Sequence, residues 1–162
     1  GTGMFAIQLA SQAGAHVTGV DNAGKLDHMR SLGADEVLDY RRDDFTRKQP
    51  YAIVLDLVAH RSVRDCRRAL APGGRYRCVG GPAHTVLNVL VAGAVVGRLS
   101  GRRIGVLAVK PGPAHFGPVA ERCAAGEVSI RVDRTFTLDE VPEALAHVGG
   151  GRALGKVVVV PR

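Results

Sequence analysis

Gly1–Asp21, GTGMFAIQLASQAGAHVTGVD, is the stretch whose reading decides the fold. Two glycines flank a single residue, and an apolar run follows in which Met4, Ile7, Leu9 and Ala10 share one side of a helix, with Gly14 as its stop. His16 to Val20 then reads as a short strand that ends in an acid, Asp21. The order is turn, helix, strand, carboxylate. The strand that ordinarily feeds such a turn is not among the residues, so the reading begins inside the turn.

Working outward, the same alternation continues. Asp21 and Asn22 can start a second helix carrying Leu26, Met29 and Leu32, stopped by Gly33, and EVLDY (36–40) is the next strand. AIVLDLV (52–58) is apolar on both faces except for Asp56, as a central parallel strand should be. Arg61 to Leu70 has helical spacing and ends in Pro72-Gly73-Gly74, RYRCVGG (75–81) is a strand finishing in glycines, and IGVLAVK (104–110) is another strand. The expected class is α/β: a Rossmann-like, doubly wound parallel sheet that lacks its first strand. From about Gly126 the texture changes to an alternating strand, VSIRVDRTFTL, a short amphipathic helix, LDEVPEALAHV, and a final strand, GKVVVV. The expected domains are therefore 1–126, a nucleotide-binding domain, and 127–162, a tail built to join something else.

The spacing of the opening carries chemistry. Glycines at Gly1 and Gly3 let the backbone come close to a pyrophosphate at a helix N-terminus, and Asp21, 18 positions after Gly3, is placed to accept from ribose hydroxyls. Asp21 can equally cap the helix that follows it; both roles stay open. A carboxylate there repels a 2′-phosphate and tilts the expectation toward NAD over NADP, although Lys25 and Arg41 are placed to restore NADP binding.

Composition excludes more than it specifies. The 162 residues carry 22 Lys plus Arg against 15 Asp plus Glu, a net +7, but the cations are scattered, so a nucleic-acid partner is not expected. Three cysteines, Cys66, Cys78 and Cys123, stand far apart without C-x-x-C spacing and read as reduced thiols of a cytoplasmic protein. Residues 1–13 show no basic, cleavable leader, and the apolar run VLNVLVAGAVVG (86–97) is too short for a membrane span, reading instead as a buried helix or subunit contact. Six histidines show no i, i+4 pair and no neighbouring cysteine, so no metal site and no zinc is expected; only His60 invites attention. No G-x-S-x-G or P-loop appears, and the catalytic residues are unknown.

With these pieces assembled, the chain resembles the C-terminal half of the medium-chain dehydrogenase/reductase superfamily, of the alcohol dehydrogenase and quinone oxidoreductase type. The resemblance rests on GTGMFAIQLASQAGAHVTGVD, KLDHMRSLGADEVLDY, YAIVLDLVAHRSV, RRALAPGGRYRCVGG and FTLDEVPEALAHVGGGRALGKVVVV, in the family's order. It implies that Gly1 and Gly3 are the last glycines of the cofactor turn, and that a catalytic domain which carries any zinc ligands and substrate contacts lies outside this truncated stretch. It implies that the tail packs on that absent domain.

The family's cofactor-facing positions fall on Val58 and Ala59 after the central strand, on Val79, Gly80 and Gly81 after the next, and on Leu107; Tyr40 is placed to pack near the adenine. The implied activity is hydride transfer to or from an alcohol, aldehyde, ketone or quinone, with a nicotinamide dinucleotide as cofactor and a homodimer joined through residues 104–110. Two other readings stand beside it. ALAPGGRYRCVG is similar to the turn of S-adenosylmethionine-dependent methyltransferases, and the chain without its first strand reads as a non-catalytic dinucleotide-binding module with exposed strand edges.

Overall fold

A computed structural model describes residues 1–110 and 112–161. In chain order the elements are α1 (Thr2–Gln12), β1 (Thr18–Asp21), α2 (Leu26–Ser31), β2 (Glu36–Asp39), β3 (Tyr51–Asp56), α3 (Val63–Ala69), β4 (Leu70–Cys78) and α4 (Ala83–Leu99). β5 (Arg103–Val106), α5 (Pro113–Ala124), β6 (Val132–Thr137), α6 (Val141–Gly149) and β7 (Lys156–Val160) complete the chain. Every strand pairing is parallel, within three sheets ordered β1-β2, β3-β4-β5 and β6-β7. The class is thus the α/β, Rossmann-like one that the alternation implies.

The chain divides into two compact units, Gly1–Arg42 with Gly112–Arg162, and Asp43–Pro111. The first unit buries Met4, Met29, Leu38, Val128 and Ala144. Its helix α1 turns inward on Met4 and also on Gln8, whose amide is fully used: Oε1 accepts from Ser129 N at 2.8 Å and from Ser129 Oγ at 2.9 Å, while Nε2 donates to Ser129 O at 3.0 Å. A buried glutamine is affordable only because these bonds replace water. They tie residue 129 to α1, so the stretch just beyond 126 belongs with the opening helix in this unit.

The second unit packs α3 and α4 on one face of β3-β4-β5, around Val63, Cys66, Leu70, Tyr76, Val89 and Ile104. Ser62 starts α3 by accepting from Asp65 N and donating to the Asp65 carboxylate. On α4, Gly93 and Gly97 permit close approach to the β5 end of the sheet: a Cβ at Gly93 would lie 2.9 Å from Ile104 Cγ2, and one at Gly97 2.9 Å from Arg102 O. The run 86–97 therefore is helical, but half of it faces outward, with Leu87, Leu90, Val91 and Val95 exposed.

Several bounds differ from the sequence reading. β4 begins at Leu70, so Pro72-Gly73-Gly74 lies within the strand, where the β3 pairing shifts register between Tyr51 and Ile53. β5 stops at Val106, short of Lys110. Helix α5 carries no clear signal in the sequence, because Gly117 and Pro118 interrupt its pattern; Pro113 at its first turn is the position where a helix tolerates proline.

Candidate functional site

In the first unit the candidate residues gather at the C-terminal end of β1. Asp21 closes that strand and lies in register with Asp39 of β2. Its Oδ1 accepts from Asn22 N at 2.8 Å, and its Oδ2 lies 3.2 Å from Lys25 Nζ, an i, i+4 pair made by the single turn between them. That turn is capped by Asn22, which accepts from Gly24 N, and not by Asp21. Asp21 is thereby left with its side chain 36% exposed and a lone pair free for a donor outside the chain. Gly1 is the N-cap of α1.

Tyr40 joins this group through its backbone, donating its N–H to Asp21 O at 3.1 Å. Its ring is half exposed and is covered by the Arg41 guanidinium at 5.7 Å. Lys25 is thus committed to Asp21 and Arg41 to Tyr40. Gly3 lies inside the first turn of α1.

In the second unit Val58, Ala59, Val79, Gly80, Gly81 and Leu107 come together at the C-terminal ends of β3, β4 and β5, where an open parallel sheet receives ligands. The ladder continues past the strands, with Val79 N donating to Asp56 O at 2.9 Å and Leu107 N to Cys78 O at 2.7 Å. The turn after β3 is built by Asp56. Its Oδ1 accepts from Val58 N at 3.0 Å and from Ala59 N at 2.8 Å, and its Oδ2 accepts from the Tyr76 hydroxyl at 2.7 Å.

This carboxylate holds fully buried Ala59 at φ +51°, a left-handed conformation that costs an alanine about 1 kcal/mol or more. Gly81, at φ +138°, closes over the same turn, and a Cβ on it would lie 2.5 Å from Val58 O and 2.8 Å from Ala59 Cβ. Gly80 is less constrained, since its Cβ would meet only Leu57 O at 3.5 Å. Asp56 and Tyr76 are the residues that the sequence reading missed. The available signal was an acid ending an otherwise apolar strand.

Burial, followed by its bond to Asp56, pushes the Tyr76 hydroxyl far above its usual pKa, and burial pushes the Cys66 thiol up to about 11. Cys78 is raised by burial as well. These groups are locked neutral, as structural donors and not as reactive ones. His60 is exposed and does not join the cluster.

A family profile described as zinc-binding dehydrogenase matches residues 32–159. The chain belongs to that family. The match spans residues 69–80, the stretch that is also similar to a methyltransferase turn. Among curated relatives, the chain is 32% identical to the mouse mitochondrial NAD(P)H oxidoreductase RTN4IP1, covering 98% of this chain and 45% of the relative. It is 30% identical to the chloroplastic quinone-oxidoreductase QR1 of Triphysaria versicolor, covering 99% and 50%. The quinone oxidoreductase structure from Coxiella burnetii superposes over 100% of this chain and 50% of its own, with a TM-score of 0.84 at 25% identity. The chain spans about half the length of these relatives.

The family's name raises the question of a metal. Among the described residues no three His, Cys, Asp or Glu side chains stand close enough to hold one, so this stretch does not fit a zinc site. A dinucleotide is a different case. The free lone pair of Asp21 suits such a ligand. No helix among the described residues is long and apolar enough to cross a membrane.

Proposed function

We propose that the chain is the nucleotide-binding part of an NAD(P)-dependent oxidoreductase acting on an alcohol, aldehyde, ketone or quinone. The observation that carries this reading is the Asp21 carboxylate, fixed by Asn22 N and Lys25 at the end of β1 and still open to a further donor. Asp21 accepts from the adenosine ribose hydroxyls, α1 presents its first amides from Gly1 and Gly3 to a pyrophosphate, and Tyr40 supplies a flat face for the adenine. Val58, Val79, Gly80, Gly81 and Leu107 offer backbone on the nicotinamide side, and fully buried Ala59 shapes the turn beneath them, over which Gly81 closes. When bound, the nicotinamide supplies the hydride chemistry. The protein's share is to hold and orient it, and the substrate contacts come from residues outside this stretch.

The cofactor preference follows from charge. Lys25 neutralises part of Asp21 but does not replace it, so NAD is favoured over NADP. Titrating the purified chain with NADH and NADPH by cofactor fluorescence tests this: saturable NADH binding, weaker for NADPH and about tenfold weaker in Asp21→Ala, is expected from the loss of roughly 1.4 kcal/mol in charge-assisted bonds. Equal affinities for the two cofactors, unmoved by Asp21→Ala, would overturn the assignment.

The homodimer through residues 104–110 is part of the same reading. Among the described residues β5 pairs with β4 alone and so presents an edge, and the exposed apolar face of α4 belongs to the same unit. Sedimentation velocity should show a dimer that Leu90→Glu with Val91→Glu converts to monomer. A monomeric parent chain refutes it.

A further inference from the structure

At the opposite end of β3-β4-β5 from the turns just described, the second unit holds a cavity of about 530 Å³ that the dinucleotide reading does not use. Four cations line it, Arg47, Lys48, Arg68 and Arg102, together with Thr46, Leu70 and two prolines, and no carboxylate does. Residues of the segment that precedes β3, the end of α3, the start of β4 and the residue preceding β5 supply its walls. The volume lies within the range of small-molecule sites.

Arg102 is held by neutral groups, whereas Arg47 and Arg68 also face carboxylates. Arg102 donates from Nε to Leu70 O at 2.9 Å and from Nη1 to Ser100 O at 3.0 Å, and forms no ion pair among the described residues. Arg68 donates from Nε to Thr46 O at 3.3 Å and from Nη2 to Thr46 Oγ1 at 2.8 Å and Asp65 Oδ1 at 2.7 Å. Asp44 stands at the rim, 3.3 Å from Arg47 and 3.9 Å from Arg68, and Asp43 lies 3.6 Å from Lys48.

One or two of these charges answer the carbonyls at the end of α3, where cations are favourable. Three of the four also have a carboxylate within 4 Å, and Arg102 is the lining cation that has none among the described residues. Arg102 donates to the C-cap carbonyls of α3 and α4 and faces no carboxylate among the described residues, and a guanidinium fixed on two backbone carbonyls loses little freedom when a phosphoryl group meets it.

We propose that this cavity binds a small molecule carrying two or more phosphoryl groups, at a site separate from that of the dinucleotide. Because a dinucleotide itself contains a pyrophosphate, the test must tell the two locations apart. Isothermal titration of the purified chain with inorganic pyrophosphate, alone and with saturating NADH, does so. The expected result is saturable one-to-one binding that NADH leaves unchanged, that weakens at least tenfold in Arg102→Gln, and that is unaltered in Arg75→Gln, an exposed arginine outside the cavity. If Arg102→Gln unfolds by circular dichroism, Lys48→Gln, on a partly exposed side chain, takes its place with a smaller expected loss of about threefold. Absence of saturable binding, equal weakening in Arg75→Gln, or displacement by NADH would overturn the proposal.

Discussion

The end of β1 and the ends of β3–β5 solve the same problem by different means. At β1 the candidate contact is one side chain, Asp21, steered by Asn22 N and Lys25 and replaceable without disturbing the core. At β3–β5 it is backbone, shaped by the buried Asp56–Tyr76 pair, by Ala59 at positive φ and by a glycine that nothing else can replace. Recognition carried by a side chain can be retuned by one substitution. Recognition carried by backbone is bound up with stability, and changing it costs the fold first.

The largest effect that could break this comparison comes from Gly81. Gly81→Ala forces a Cβ to 2.5 Å from Val58 O at a strained φ, and should cost about 3 kcal/mol in urea unfolding. Gly1→Ala, where a Cβ meets nothing within 4 Å, should move the midpoint by no more than about 0.5 kcal/mol. Equal losses at the two glycines would erase the distinction. Next comes Asp56→Asn, which keeps the shape but replaces a charged acceptor of three hydrogen bonds; about 2 kcal/mol is expected, with protease sensitivity appearing first at residues 57–60.

A smaller, pH-dependent effect belongs to the first unit. His147 Nε2 lies 2.7 Å from Asp133 Oδ2, with both side chains mostly buried. The bond to His147 is the main cause that holds the Asp133 carboxyl below its ordinary range, helped by a backbone donor at Leu154 and the charge of Arg134. A depressed folded pKa means that this stabilisation is complete above the unfolded carboxyl value of about 4 and disappears as the pH falls through the lower folded value. Asp133→Asn should therefore flatten the acid limb of a stability–pH profile and leave the second unit's turns unaffected. An unchanged acid limb would assign that limb to other carboxylates.

How much of this could be read from the sequence follows the same division. Asp21, Lys25 and Gly1 were legible because a carboxylate at the end of a strand and a glycine at a helix start advertise themselves by position. The alternation of elements gave the α/β class because each strand and helix is short and punctuated by glycine. Asp56 was visible as a polar exception, but its task depends on Tyr76, 20 positions later and one strand over, a pairing that no local pattern encodes. Gln8 was hidden for the same reason, since its partner is Ser129. Helix α5 was obscured by Gly117 and Pro118, which local propensity penalises.

The most direct measurement is the backbone amide NMR spectrum of the folded chain, titrated with NADH. The account predicts saturable shifts in both groups, Asp21–Lys25 and Tyr40 on one hand, and Val58, Ala59 and Val79–Gly81 on the other, with the first group alone reduced in Asp21→Ala. Shifts confined to surface arginines, or none in a chain whose spectrum is well dispersed, would contradict it.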